Sequence, residues 1–195
     1  MTTELPPRFA PFYVGGVQLG ALAARHLLSP ARRARLLRRC STNVDNLRAG
    51  RWDTLVTSAL VVEAPMDLGY ALLLLAVLGY TEYAYGAWWA AGAFAWGHAG
   101  ASLIVYGGLR AVRAGQRTRS ATDVGTSYGF NSVAGFLAAG LPAGRPRIAA
   151  RSALLALAVR PLVTRRPGFT DAGHLIALLL GLGLGSLRRR TLAHG

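Results

Sequence analysis

The sequence predicts an all-α membrane protein, a bundle of six transmembrane helices. Three observations carry this. Of 195 residues, 52% are apolar and only 15% charged, against about 25% charged in a soluble domain. The apolar residues fall in blocks long enough to span a bilayer, with the charges gathered between them. The basic residues are all arginine, and they flank the blocks. The length fits a single domain over residues 1–195. The Arg, Ala, Gly and Leu excess matches GC-rich bacterial coding, so the expected location is a bacterial cell membrane, crossed several times.

The net charge of +14 raises nucleic acid as a partner. A soluble nucleic-acid reader sets its arginines on a folded polar surface. Here they border apolar spans, where anionic lipid headgroups attract them; nucleic acid is excluded and membrane lipid is the expected partner. Cys40 is the sole cysteine, which excludes an internal disulfide and a cysteine-based metal cluster. Arg8 stands alone after two prolines, unlike a secretory leader, so the first apolar block reads as a retained span.

The elements follow in order. Span 1 covers about residues 9–28. Residues 29–51 are rich in arginine (Arg32, Arg33, Arg35, Arg38, Arg39), with leucines at helical spacing, and predict an amphipathic helix on the membrane surface. Span 2 covers about 57–80, with Glu63 and Asp67 near its start. Span 3, about 87–108, opens on Tyr85, Trp88 and Trp89, an interfacial aromatic belt. Span 4 covers about 127–141. Span 5, about 148–164, carries Arg151 and Arg160 near its ends, where they can snorkel. Span 6, about 171–187, carries Gly181, Gly183 and Gly185, small residues that let helices approach closely. A basic tail, 188–195, contains Arg188, Arg189 and Arg190.

Ser127 and His174 are the candidate catalytic pair. Ser127 stands in Asp123-Val124-Gly125-Thr126-Ser127-Tyr128-Gly129 and His174 in Asp171-Ala172-Gly173-His174-Leu175. Polar groups within spans default to functional candidates. Spans 4 and 6 are separated by one span, so they cross in the same direction and both residues sit near the same membrane face. A serine beside a histidine is the minimum for an activated nucleophile. The free N–H groups and the dipole at the start of span 4 would face a developing oxyanion. No metal or cofactor is needed. The plainer reading is a small serine bonded to its own helix.

Other polar residues have structural readings beside functional ones. His98 and Ser102 share a face of span 3 and fit an interhelical hydrogen bond better than a metal site. Glu63 and Asp67 share a helical face, either as a proton or cation site or as a solvated pair. Asp123 and Asp171 read as loop or capping residues rather than partners of His174. Asn131 lies one turn after Ser127, where it either donates to an oxyanion or bonds between helices. Glu82 reads as an anchor for the loop between spans 2 and 3. A small transporter built on Glu63, Asp67 and His98 is a third reading, and the lack of internal repeats counts against it.

The chain resembles the rhomboid family of intramembrane serine proteases over about residues 50–185. The six spans agree in number. Gly125-Thr126-Ser127 resembles the family's Gly-x-Ser nucleophile motif. His174 followed by Gly181 resembles its histidine helix, and Glu82 with Gly86 resembles its Glu-x-x-x-Gly. The basic stretch after span 1 matches the family's membrane-surface first loop. The resemblance implies a six-helix rhomboid-like bundle, Ser127 as nucleophile, His174 as general base, Gly125 in support, and a single-pass membrane protein as substrate. It also implies cytoplasmic termini; the full arginine count favours the opposite orientation, but with the arginines of the surface segment set aside the split is even, and the family topology is kept.

Six positions depart from the pattern. Tyr128 replaces the glycine after the serine. Met66 and Tyr70 stand where the second helix carries histidine and asparagine donors, leaving the Tyr70 hydroxyl as the candidate. Arg51-Trp52 reverses the family's Trp-Arg, and Ala177 replaces a glycine. These motivate the alternative expectation of a catalytically silent rhomboid-like protein that binds membrane-protein clients.

Overall fold

The apolar blocks fold as helices. The computed structural model describes residues 8–164 and 168–193; it is 81% helical, with no strand among the described residues. The long helices are α1 (Phe9–Leu27), α5 (Leu68–Tyr85), α6 (Ala87–Ala111), α8 (Ser127–Gly140), α9 (Arg145–Thr164) and α10 (Phe169–Ala193). Shorter ones connect them: α2 (Pro30–Cys40), α3 (Val44–Arg48), α4 (Thr54–Leu60) and α7 (Gln116–Arg119). Two stretches, Leu68–Tyr85 and Phe169–Thr191, are long and apolar enough to cross a membrane by length and composition.

Several boundaries differ from those the sequence predicts. The expected span over 57–80 is broken: α4 ends at Leu60 and α5 starts only at Leu68. Pro65 interrupts the ladder, and the Asp67 side chain caps α5 by accepting from the Tyr70 N–H (2.9 Å). Glu63 and Asp67 therefore share no helical face, although both are exposed, as the solvated reading expects. Gln18, in the middle of α1, satisfies the irregular backbone: its amide donates to the Met66 carbonyl (3.0 Å) and accepts from the Met66 N–H (2.9 Å). The Arg33 guanidinium donates to the Glu63 carbonyl.

The basic segment 29–51 is two helices rather than one. Its break, Ser41-Thr42-Asn43, is buried, and Asn43 caps α3. The basic tail does not start a new segment, because Arg188, Arg189 and Arg190 continue α10. Residues 194–195 lie outside the described residues. Span 5 begins three residues early, at Arg145, and Arg151 does not snorkel: its guanidinium donates to the Ser186 hydroxyl of α10 (3.2 Å).

α8 is the central helix, packed against α5, α6, α9 and, most extensively, α10. Its core neighbours are Leu74 and Leu78 of α5, Phe94 of α6 and Ala10 and Val14 of α1, around Val133 and Phe136. Bare glycines allow the close approach of α8 and α10. A Cβ on Gly181 would overlap the Ser132 carbonyl, and one on Gly185 would lie 2.6 Å from the Phe136 carbonyl oxygen. A Cβ on Gly183 would meet nothing within 4 Å, so Gly181 and Gly185 form the contact and Gly183 does not.

Large apolar side chains cover the outside, among them Phe12 (75% exposed), Trp88 (90%) and Leu187. Monomers in water rarely expose so much apolar surface, and a hydrocarbon environment removes the conflict. Of the expected aromatic belt, Trp88 faces outward, while Tyr85 and Trp89 stand beneath the Arg188 guanidinium, 4.6 and 5.1 Å from their ring centroids.

Candidate active site

The loop before α8 is built to present its first residue. Gly125 adopts φ +141°, a conformation that side-chain-bearing residues rarely take. Its N–H donates to the Ser58 carbonyl of α4 (2.8 Å). The Asp123 N–H donates to the Ser41 hydroxyl (2.8 Å), and the Thr42 N–H returns a bond to the Asp123 carbonyl (3.2 Å). Thr126 is buried, and its hydroxyl pairs with that of Tyr70 at 2.9 Å. The chain therefore enters α8 pinned on both sides, with Ser127 as the first helical residue.

Ser127 Oγ and His174 Nε2 are 2.9 Å apart. The two residues lie on different helices, 47 positions apart in sequence. Both side chains are half-buried, so the pair is packed yet reachable. α8 begins without a side-chain cap, which leaves its first N–H groups free to bind an anion.

Tyr128 wedges the pair from behind. Its ring is 3% exposed and meets the His174 imidazole edge-on, with centroids 5.4 Å apart and planes at 78°. A Cβ on Gly173 would strike this ring. The glycine before the histidine is thus the space that Tyr128 occupies. The sequence showed Tyr128 only as a departure, although a large aromatic next to the serine and a glycine next to the histidine were both visible.

The remaining candidates sort clearly. Tyr70 reaches the loop, where its hydroxyl pairs with that of Thr126. The Asn131 amide donates to the Ser127 carbonyl of its own helix (2.9 Å). Asp171 accepts from the Gly168 N–H (2.8 Å), a capping contact at the start of α10. Asp123 accepts from the Tyr106 hydroxyl; burial pushes its carboxyl above the usual carboxylate range, and that hydrogen bond offsets part of the rise. His98 is buried, with Nε2 2.9 Å from Ser58 Oγ, in a chain that continues to Thr42 Oγ1 at 2.8 Å. This is the interhelical bond expected of it, made to α4. Its neighbour Ser102 is also buried.

Glu82 anchors a different element from the expected one. Its carboxylate accepts from the N–H groups of Arg8 (2.8 Å), Phe9 (2.9 Å) and Ala10 (2.9 Å), which caps the start of α1. Gly86 turns the chain from α5 to α6 at φ +91°, which explains the glycine four residues later.

The glycine-packed serine and histidine helices, the Gly125 loop and the Glu82–Gly86 turn form one pattern, and the whole-chain comparison agrees. A profile for the family described as "Rhomboid-like protein" matches residues 12–193. The chain belongs to the rhomboid-like protein family. No curated protein and no solved structure matches it. Rhomboid-like proteins are membrane-embedded, in keeping with the apolar exterior of this one.

Proposed function

We propose that this rhomboid-like protein is an intramembrane serine protease acting on single-pass membrane proteins. The observation that carries the reading is the 2.9 Å contact of Ser127 Oγ with His174 Nε2 at an uncapped helix start. In this reading α1, α5, α6, α8, α9 and α10 are six spans of one domain in a bacterial cell membrane. α8 has 14 residues, about 21 Å at 1.5 Å per residue, against a hydrocarbon core of ~30 Å. Its start then lies below the membrane surface, where irregular backbone is tolerated when it is buried in protein or lines a wet cavity.

The chemistry is acyl transfer. His174 Nε2 takes the Ser127 proton as Oγ attacks the carbonyl carbon of the scissile peptide. The first N–H groups of α8 receive the oxyanion. The imidazolium returns its proton to the leaving amine as the C–N bond breaks. Water, deprotonated by His174, then cleaves the acyl-serine ester and restores both residues. The substrate enters laterally from the lipid.

A fluorophosphonate probe applied to wild type, Ser127→Ala and His174→Ala in detergent tests this. Labelling of wild type alone supports an activated serine. A folded wild-type protein that stays unlabelled refutes it and leaves the second reading, a silent protein that binds membrane-protein clients. That reading is favoured by the engagement of Tyr70 and Asn131 elsewhere, since loss of one oxyanion donor costs about 10²–10³ in turnover.

A further inference from the structure

Helix α2 has a cationic face that the protein itself does not neutralise. Arg32, Arg35, Arg38 and Arg39 are exposed, while Arg33, Leu36, Leu37 and Cys40 on the other face are half-buried. α2 holds no acidic residue. Among the described residues, the ion pairs are Arg51–Asp53 at 3.2 Å and Arg119–Asp45 at 3.0 Å, and neither includes an arginine of α2.

Beneath α2 lies a groove of about 150 Å³ against α1 and the α4–α5 break, lined by Ala21, Ala24, Leu36, Leu37, Leu60 and Val62 among others. Gly20 forms part of its wall, and a Cβ there would meet nothing within 4 Å. Arg33 stands at the groove with its guanidinium turned to the Glu63 carbonyl. An apolar slot beside a row of unpaired cations matches a molecule with an anionic head and an apolar tail.

We propose that α2 and this groove form a binding site for anionic phospholipid, with headgroup phosphates along the exposed face of Arg32, Arg35, Arg38 and Arg39 and a chain entering the groove beside Arg32, its upper carbons against Leu36, Leu37 and Ala24. The site rests on the membrane-spanning reading and not on the chemistry of Ser127. It also reaches the nucleophile loop, because α2 runs directly into Ser41 and Thr42, which hold Asp123 by two hydrogen bonds.

The test uses the full chain in nanodiscs of phosphatidylcholine containing increasing phosphatidylglycerol, followed by native mass spectrometry of retained lipid. Wild type is expected to retain phosphatidylglycerol over phosphatidylcholine. A juxtamembrane basic residue contributes about fivefold, the equivalent of ~1 kcal/mol, so the combined Arg32→Gln, Arg35→Gln, Arg38→Gln, Arg39→Gln variant is expected to lose on the order of 10³-fold. Arg110→Gln with Arg113→Gln, exposed at the end of α6, is expected to leave retention unchanged. Ala24→Leu, which fills the groove without changing charge, is expected to weaken retention. Equal retention by wild type and the quadruple variant overturns the site, as does full displacement of the lipid by inorganic phosphate. A chain that fails to enter nanodiscs overturns the membrane-spanning reading along with it.

Discussion

Gly181→Ala tests whether the serine and histidine are placed by the packing of α8 on α10. The added Cβ would lie 2.6 Å from the Ser132 carbonyl carbon and 2.8 Å from its Cα. Non-bonded carbons rest at about 3.5–4.0 Å, so the helices must part by roughly 1 Å. Ser132 is backbone on a central helix and cannot rotate away. Gly181 lies two turns beyond His174 on the same face, so the displacement reaches the 2.9 Å Ser127–His174 contact. A further 1 Å carries that contact past hydrogen-bond range. A misplacement of this size costs on the order of 10²-fold in rate, and overpacking costs about 1–3 kcal/mol. The assay is the rate of fluorophosphonate labelling of Ser127, with a detergent melting curve to confirm folding. Gly183→Ala is the control, since its Cβ meets nothing within 4 Å; it should label normally and gain up to ~1 kcal/mol of helix propensity. Gly181→Ala that labels and melts like wild type would refute the argument.

Three other outcomes follow from the geometry. Tyr128→Leu should remove the ring-current shift on the His174 imidazole protons and slow labelling, whereas Tyr128→Phe keeps the ring and should retain both; equal spectra for the two variants would contradict the edge-on contact. Glu82→Gln should cost about 1–3 kcal/mol and open the first turn of α1, read as faster hydrogen exchange over residues 8–12, because one amide oxygen cannot replace two carboxylate oxygens at three N–H groups. Asp123, with its folded pKa raised by burial, binds its proton more tightly folded than unfolded. Stability should therefore fall as pH climbs from the ordinary carboxylate pKa through the raised folded value; Asp123→Asn should flatten that part of a melting-temperature profile, and an unchanged slope would remove Asp123 as its source.

Much of the site was legible because its signals are local. Ser127 in Gly-Thr-Ser, a histidine seven residues before a glycine, and Glu82 four residues before Gly86 are read along a single strand of text. Glu63 and Asp67 misled for the same reason: their spacing fits a helix face, but Pro65 and the capping preference of Asp67 break the helix between them. Tyr70 and Asn131 stand near the serine, with the Tyr70 hydroxyl against Thr126 and the Asn131 amide on the Ser127 carbonyl. What a hydroxyl or amide bonds to depends on neighbours such as Thr126 that no spacing rule selects.

The sequence by itself determined the all-helical class, the membrane-compatible exterior and the identities of the serine and histidine. Those follow from composition and from motifs a few residues long, which act through local backbone geometry and solvent preference. Only the tertiary structure decided that Gly181 and not Gly183 faces Ser132, that Tyr128 fills the space beside Gly173, and that Glu82 caps a helix 74 residues earlier in the chain. Each depends on the rotation and approach of helices remote in sequence. Close packing sets those quantities jointly for the whole bundle, and no single segment encodes them.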